Sequence, residues 1–446
     1  MESKETKPSL RYAWYVVGVL LLAYISSFID RQILSLLVKP IKASFGITDT
    51  QMGVLMGLSF AVLYTLVGIP IGLMADRMNR KKIIAWGIMI WSIMTVFCGL
   101  AGSYSLFFLA RVGVGIGEAA LSPAAYSIIS DYFPKKKLAT ALSVYNMGIY
   151  LGSGLSILIG AALRTMIGKE NIIIPYIGEI FSWQMIFFYI GLPGIFIVLL
   201  VQTIKEPKRI EFDSIKEITE TSSFKEILTY FKANRLTFLY LNFSMAFMAF
   251  ATYAGIYWLP TMLGRVHGWA DTKAGVTFGL LITVFSTLGV ISGGRYADYL
   301  TKKGVVQAKM LAGFRGMAVA MCCTLGILLP DINIGIFFVA GFCFFSSFPY
   351  GSATAAIQEI VPNKMRAIFS AFFLFVVNII GLGFGPLTVG LLNDAVFGDP
   401  NKIHYSLFIT QFLGCSLSAL CLYLGLKPFV RSVDYLKKYL AVSNQN

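Results

Sequence analysis

Long apolar segments separated by short polar stretches run the whole length of the chain. About 20 apolar residues are enough for a helix to cross the ~30 Å hydrocarbon core of a bilayer. Twelve segments of about this length occupy residues 14–38, 51–75, 83–101, 105–130, 138–163, 183–204, 236–263, 274–300, 308–329, 333–361, 367–392 and 404–426. The pattern predicts an all-α polytopic membrane protein with twelve transmembrane helices.

Composition and charge support this class and exclude others. The 446 residues are 57% hydrophobic and 13% charged, whereas a soluble domain averages about 25% charged residues. The net charge of +15 does not indicate a nucleic-acid partner, because most of the Lys and Arg residues fall in segments on one side of the predicted helices. The positive-inside rule then places both termini in the cytoplasm. Short loops favour the inner membrane of a bacterial cell.

Two short motifs recur about half a chain apart. They are Gly72-x-x-x-Asp76 and Gly294-x-x-x-Asp298, each followed by basic residues, and the proline loops at Pro134 and Pro362. Parallel repeats of this kind are typical of transporters built from two halves with a site between them near the midplane. We therefore predict two pseudo-symmetric six-helix bundles, 1–204 and 236–446, joined by a cytoplasmic linker, 205–235.

The linker carries the signature of a short amphipathic helix. Ser223 followed three residues later by Glu226 forms a capping-box pattern. Apolar residues then recur at Phe224, Ile227, Leu228 and Phe231, the spacing of one helix face. The alternative is a disordered linker.

Ionisable residues within the predicted spans are the candidate chemistry. Asp30 lies in the middle of the first segment, where a charge costs about 3 kcal/mol and survives when it has a partner or a function. Arg111 and Glu118 share a face of the fourth helix, about 10 Å apart along its axis. Counting residues from the outer ends places Asp30 and Arg111 at similar depth, so we expect them to meet across helices one and four. Arg31, about 100° round from Asp30, is expected to face elsewhere.

These positions support two readings. In the functional one, Asp30 lines a cavity and carries a proton, with Glu118 and Arg111 as partners in coupling. In the structural one, the buried charges only lock helices together. Asp30 and Arg111 are predicted to lie close to one another in at least one state of the protein.

Two further sets of residues are candidates for gating and for substrate binding. The candidate gate residues are Asp76, Arg77, Arg80 and Asp298, at cytoplasmic ends of helices; the alternative is that the basic ones only determine topology. The candidate substrate residues are Arg31, Tyr253, Tyr257, Phe345 and Ser347; the alternative is that the aromatic ones face lipid.

Motifs for other chemistry do not occur in the sequence. It has no Gly-x-x-x-x-Gly-Lys-Ser/Thr loop for ATP and no His/Cys cluster for a metal or haem. The six cysteines lie within apolar segments and are expected to be buried thiols. A clustered nucleophile is also missing, which disfavours an intramembrane enzyme acting on lipids. We expect no enzymatic activity and no cofactor other than a coupling proton.

The Gly72–Lys82 signature, the half-chain repeat and the twelve segments together resemble the major facilitator superfamily. Three stretches are similar to its Spinster family: Phe28-Ile29-Asp30-Arg31-Gln32, Asp49-Thr50-Gln51-Met52-Gly53, and Arg111 with Gly115-x-Gly117-Glu118. That family is associated with export of lysolipids and sphingosine-type amphiphiles and includes proton-dependent members. The resemblance implies coupling roles for Asp30, Arg111 and Glu118. Tyr299 departs from the superfamily pattern, in which an arginine follows the second-half aspartate, so a latch there is expected to be weaker or absent.

The sequence thus predicts a proton-coupled secondary active transporter that moves an amphiphilic small molecule by alternating access. It is expected to be a monomer whose partners are this substrate and membrane lipid. The alternatives are an uncoupled facilitator, and a transporter of sugars, organic anions or drugs.

Overall fold

The computed structural model describes residues 9–75, 78–168, 170–174, 178–207, 224–350, 356–357, 359–362 and 365–443. Within these ranges, eleven helices are long and apolar enough to cross a membrane, and a further apolar helix is shorter. The predicted fold class, an all-α multi-pass membrane protein, is confirmed. We number the twelve helices as spans 1 to 12.

Spans 1 to 6 are Leu10–Leu36, Asp49–Ala75, Arg80–Leu100, Tyr104–Tyr132, Thr140–Ile167 and Ser182–Gln202. Polar caps define several of their starts. The Thr48 hydroxyl accepts from the Gln51 amide at 3.2 Å while the Gln51 side chain accepts from the Thr48 amide at 2.9 Å, which is a capping box. Between spans 5 and 6 lies a small antiparallel hairpin that the sequence reading missed. Its strands are β1 (Ile172–Ile174) and β2 (Gly178–Ile180).

Spans 7 to 12 are Arg235–His267, Asp271–Lys302, Ala308–Leu328, Ile332–Ser346, Ile368–Phe397 and Pro400–Ala441. The predicted linker helix is confirmed and runs Phe224–Ala233. Its predicted cap, Ser223, lies outside the described residues. The last helix continues past the apolar stretch to Ser443.

Span 10 differs from the prediction. We expected one helix over 333–361, but the described helix ends at Ser346 and residues 347–349 form a turn. The cause is Pro349, whose ring clashes with a helical carbonyl one turn earlier and which lacks the amide that a helix needs.

Several spans change their helical geometry partway along. Span 1 is α-helical from Leu10 to Gln32 and then tightens into a 3₁₀ turn, Ile33–Leu36. Span 8 contains a π-helical stretch, Ile282–Ser286, and span 11 contains another, Asn378–Phe384. Such irregularities inside helices are frequent at functional sites, and the one in span 1 directly follows Asp30 and Arg31.

Contacts divide the chain into two compact units. The first comprises Met1–Ile47 and Ser59–Ile210, and the second comprises Thr48–Leu58 and Glu211–Asn446. The predicted ranges differ from this division at Thr48–Leu58, the start of span 2. By its contacts this segment belongs to the second unit, although its chain neighbours on both sides belong to the first.

Candidate ion-coupling site

The centre of the first unit contains a buried ion pair between spans 1 and 4. Arg31 Nη2 donates to Glu118 Oε2 at 2.6 Å, and both side chains are almost completely buried. The expectation that Arg31 faces elsewhere was wrong. Its side chain is long enough to reach the helix face that Glu118 occupies, and a pair buried at this depth is held together by the low polarity around it.

Aromatic rings surround the Arg31 guanidinium. The distances from its Cζ to the ring centroids are 4.6 Å for Phe28, 4.3 Å for Phe60 and 5.0 Å for Tyr64. Each lies within the ≈ 6 Å range of a cation–π interaction. Arg31 is thus stabilised by both a carboxylate and three rings, which explains how an arginine is accommodated inside a membrane span.

Arg111, which was predicted to meet Asp30, contacts the backbone of both Asp30 and Arg31. Its Nη1 donates to the Asp30 carbonyl at 3.1 Å and its Nη2 to the Arg31 carbonyl at 3.4 Å. The last carbonyls of an α-helix lack regular partners, and the change to 3₁₀ geometry after Gln32 ends the α-helix here. Arg111 therefore closes the end of the α-helical part of span 1, beside the Asp30 side chain.

Asp30 is the unusual member of the group. Its residue surface is 1% exposed. The Thr95 side chain lies within reach of its carboxylate, but no described residue forms a well-aligned hydrogen bond with either oxygen. Arg111 and Glu118 are its charged neighbours. The Arg111 Nε is likewise buried without an acceptor in the described part of the chain. A buried carboxylate in this state is costly when charged and much less costly when it carries a proton.

Glycines and hydroxyl groups allow the neighbouring helices to come this close. A Cβ on Gly115 would lie 2.8 Å from the Phe60 carbonyl oxygen, and one on Gly117 would lie 2.6 Å from the Trp91 backbone nitrogen. These two glycines therefore let the backbones of neighbouring helices approach closely. Span 5 supports the other side of span 1, where Ser156 donates to the Ile29 carbonyl at 3.1 Å.

A second charged cluster, in the second unit, was not predicted. Arg265 donates two hydrogen bonds to the Asp49 carboxylate, at 2.7 and 2.9 Å, and Asn393 donates to it at 2.7 Å. Asp49 is completely buried. We call Asp49, Arg265, Asn393 and Asp394 the Asp49 cluster. The sequence held two signals for it: Asp49 begins one of the stretches similar to the Spinster family, and the four residues lie at helix ends on the same predicted side of the membrane.

Asp394 completes this cluster by capping the start of span 2. Its carboxylate accepts from the Thr50 amide and the Thr50 hydroxyl, both at 2.6 Å, and from the Asp49 amide at 3.3 Å. A carboxylate at a helix N-terminus satisfies free amides and interacts favourably with the helix dipole. One turn later, a Cβ on Gly53 would lie 2.7 Å from the Pro386 carbonyl oxygen. Residues 48–58 are thus held both by polar bonds and by close backbone packing.

Of the predicted gate residues, Asp76 and Arg77 lie outside the described residues. Arg80 is buried and donates to Glu206 at 2.8 Å, to Ser127 at 2.8 Å and to Asp131. These contacts all lie inside the first unit, so Arg80 joins the ends of spans 3, 4 and 6. Asp298 is exposed, and its side chain has no hydrogen bond or ion pair with any other described residue.

The predicted substrate residues of the second unit occupy different settings. The rings of Tyr253 and Tyr257 stack with centroids 6.4 Å apart. Phe345 packs against the core of the unit, and the Ser347 hydroxyl donates back to the Cys343 carbonyl at 2.8 Å. The Ser347 hydroxyl is therefore used by its own helix in this structure.

A mainly apolar cavity lies among spans 7, 8, 9, 10 and 12 of the second unit. The cavity is small in this structure: its volume is about 30 Å³, well below the ~300–1,000 Å³ of small-molecule pockets. Its polar and thiol side chains are Thr252, Ser286, Cys323, Cys343, Ser346 and Gln411. Ser286 belongs to the π-helical stretch of span 8. The serine of span 10 that lines the cavity is Ser346, whereas the sequence predicted its neighbour Ser347.

Metal-binding groups are not found in the part of the chain that the structure describes. No cluster of three or more His, Cys, Asp or Glu side chains there could hold a metal ion. The six cysteines are free thiols, and Cys322 is exposed rather than buried as predicted.

Comparison with known proteins relates this architecture to membrane transporters. A crystal structure of a bacterial homolog of the human lysosomal transporter Spinster, inward-facing and unoccupied, superposes with a TM-score of 0.77 at 29% identity and covers 97% of this chain and 98% of that one. The sphingosine-1-phosphate transporter SPNS2 of Xenopus tropicalis is 25% identical, covering 90% and 79% of the two chains. The probable L-galactonate transporter of Escherichia coli (strain K12) is 23% identical, covering 84% and 82%. The sequence profile of the Major Facilitator Superfamily matches residues 20–386, and the chain belongs to that superfamily of transporters.

Proposed function

We propose that this protein is a proton-coupled secondary transporter in which Asp30 carries the proton. The observation that carries the proposal is the Asp30 carboxylate, which is buried within a membrane span and lacks a well-aligned hydrogen bond to any described residue. Arg31 and Glu118 neutralise one another. Arg111 is therefore the remaining positive partner for a charged Asp30.

The charges of the two acids, Asp30 and Glu118, and the two arginines, Arg31 and Arg111, indicate two states of this group that differ by one proton. With Asp30 ionised, two acids balance two arginines, and the carboxylate can be stabilised by the unused Nε of Arg111. With Asp30 protonated, the group carries one net positive charge and Arg111 remains on the backbone carbonyls of Asp30 and Arg31. A movement of span 4 against span 1 that brings Arg111 to the carboxylate releases the proton; the reverse movement favours its uptake.

Alternating access requires closures that open in turn. We propose that the Asp49 cluster is the outer one, because both termini are expected in the cytoplasm and this places Asp49 and Arg265 at the outer ends of spans 2 and 7. Residues 48–58 separate from the rest of the second unit when the outer side opens. For the inner closure, Asp76 and Arg77 are the residues that the sequence suggests. Arg80 stabilises the inner end of the first unit.

The substrate that we propose is an amphiphile of the lysolipid or sphingoid type. The similarity to Spinster proteins supports it. The similarity to an L-galactonate transporter favours a second candidate, a sugar acid, whose carboxylate would be recognised by an arginine. The Arg31–Glu118 pair favours the amphiphile. A sugar acid would need an arginine for its carboxylate, and the Arg31 guanidinium, which aromatic rings surround, is already paired with the carboxylate of Glu118.

Transport by the purified protein in liposomes tests the coupling. One proton moving down 100 mV supplies about 2.3 kcal/mol, enough for a roughly fiftyfold concentration ratio of substrate. Asp30→Asn is expected to abolish transport driven by a pH gradient while leaving substrate exchange without a gradient. The control is Glu170→Gln, which removes an exposed acid of the same unit. Gradient-driven transport by Asp30→Asn at the wild-type rate would contradict the coupling role.

The substrate class is tested separately, by thermal-shift binding. A lysophospholipid and sphingosine are expected to stabilise the wild-type protein, and galactonate and glucuronate are not. Stabilisation by the sugar acids alone would establish the second candidate. Transport of the amphiphile that is insensitive to pH and to uncouplers in the wild type would instead identify an uncoupled facilitator.

A further inference from the structure

A solvent-open cleft outside the membrane spans has no part in the transport mechanism above. It lies between the linker helix Phe224–Ala233 and the last turns of the helix Ile403–Ser443. Its lining residues are Lys225, Glu226, Thr229, Tyr230, Tyr435 and Tyr439, and its empty space is about 600 Å³, including the part open to solvent. We propose that this cleft binds a phospho-alkylammonium group, such as phosphocholine.

Three tyrosine rings form the walls of the cleft. The Tyr435 ring lies 5.5 Å from the Tyr230 ring at an interplanar angle of 65°, and the Tyr439 ring lies 5.4 Å from it at 80°. Tyr435 and Tyr439 are four residues apart and therefore project from the same face of their helix. Two rings standing steeply on a third produce a corner with aromatic faces on more than one side.

Two of the three rings are held in place by hydrogen bonds before any ligand binds. Tyr230 is 1% exposed, and its hydroxyl donates to the Ile360 carbonyl at 2.6 Å. The Tyr439 hydroxyl donates to the Glu226 carboxylate. Tyr435 is 37% exposed and forms the outer wall. A preorganised site loses little conformational entropy on binding, which favours even a small ligand.

The charges along the cleft match a zwitterion. An alkylammonium placed over aromatic faces is attracted by the negative face of each ring, and a quaternary ammonium is well suited because it is weakly hydrated. Glu226 adds a carboxylate to the same lining. Lys225, the residue before it, adds an ammonium that can pair with a phosphate. The aromatic corner with Glu226 recognises the cationic end, and Lys225 recognises the anionic end.

Such a group can come from a soluble phosphate ester or from the headgroup of a phospholipid. Both present the same phosphate and alkylammonium, and the cleft recognises that shared chemistry. The two sources differ in whether surrounding lipid competes for the site.

Isothermal titration calorimetry of the full-length protein in a maltoside detergent tests the proposal with choline, phosphocholine and ammonium chloride as probes. Phosphocholine and choline are expected to bind and ammonium is not. Tyr435→Ala is expected to weaken choline binding about fivefold, the loss of one cation–π contact, whereas Tyr435→Phe, which keeps the ring, leaves it unchanged. Lys225→Gln is expected to weaken phosphocholine binding and not choline binding. The matched control is Tyr299→Ala, which removes an exposed tyrosine elsewhere on the second unit.

Equal binding of phosphocholine by the wild type, Tyr435→Ala and Glu226→Gln, or no binding by the wild type, would overturn the proposal and leave the rings with a packing role. The same titration in nanodiscs separates the two sources. Loss of phosphocholine binding in phosphatidylcholine discs, but not in phosphatidylglycerol discs, supports a lipid headgroup as the occupant. Binding that is the same in both supports a soluble ester.

Discussion

Replacing Glu118 with Gln is expected to lower the free energy of unfolding by about 3 kcal/mol. The change preserves the shape of the side chain and removes only its charge. Arg31 then remains as a charge inside a membrane span without its carboxylate, which lies 2.6 Å away in the wild type. Removing one partner of a buried ion pair costs about 3–5 kcal/mol, because the remaining charge stays desolvated.

The three rings around Arg31 place the expected cost at the lower end of that range. Each of Phe28, Phe60 and Tyr64 lies within 5.0 Å of the guanidinium carbon, and a desolvated cation–π contact contributes about 0.5–2 kcal/mol. These contacts persist in Glu118→Gln. They are lost in Arg31→Met, which also leaves Glu118 unpaired, so we expect that variant to lose about 5 kcal/mol at neutral pH.

The double variant Arg31→Met with Glu118→Gln distinguishes coupling from simple packing loss. It contains neither charge, and a buried pair replaced by neutral side chains of similar volume is often as stable as the original. We expect it to be more stable than Arg31→Met alone, which requires a coupling energy above about 3 kcal/mol, the cost of Glu118→Gln by itself. The free energies are measured by titration with sodium dodecyl sulfate in mixed micelles.

The matched control is the exposed pair Lys437–Asp434, whose charged atoms are 3.5 Å apart. The same cycle there, with Lys437→Met and Asp434→Asn, should show a coupling of no more than about 0.5 kcal/mol. Additive effects of the Arg31 and Glu118 changes, with a coupling as small as at the control pair, would refute the reasoning. The two charges would then stabilise the protein independently of one another.

Three other changes test separate parts of the structure. Gly117→Ala should lower stability by about 1–3 kcal/mol, because its Cβ would overlap the Trp91 backbone, whereas Gly102→Ala, with open space around it, should be neutral in thermal unfolding. Arg80→Lys should lower the melting temperature, since a lysine cannot replace the fork that contacts Glu206 and Asp131, and the exposed Arg11→Lys should not. Asp394→Ala should speed amide hydrogen exchange in residues 48–58 by about fivefold, the effect of losing a helix cap, without changing exchange in residues 80–100.

The number and placement of the spans could be predicted because the bilayer sets the length of each apolar helix. The exception at span 10 also had a visible cause, since Pro349 interrupts the apolar stretch 333–361. The π-helical stretch in span 11 had the same kind of signal, because Pro386 follows it by two residues and its ring clashes with the carbonyl of Leu382. The stretch in span 8 had no such signal, since it contains no proline.

The sequence predicted which helices meet beside Asp30, but it predicted the wrong direction for the side chain of Arg31. Counting residues along helices one and four placed Arg111 beside Asp30, and its guanidinium does reach the Asp30 carbonyl. The error concerned Arg31. A helical wheel gives the direction of the Cα–Cβ bond, but an arginine side chain is long enough to turn back toward a partner such as Glu118. Short side chains follow the wheel more closely than long ones do.

The Asp49 cluster shows what depth alone does not determine. Asp49, Arg265 and Asp394 stand at helix ends on one predicted side of the membrane, so depth made each of them a possible partner of the others. Several further charged residues lie at that depth as well, and choosing among them requires the lateral arrangement of spans 2, 7 and 11. That arrangement is set by backbone contact, as at Gly53, where only a residue without a side chain admits the Pro386 carbonyl. Depth can therefore be read from a sequence by counting, whereas lateral position depends on glycine contacts whose partners lie hundreds of residues away.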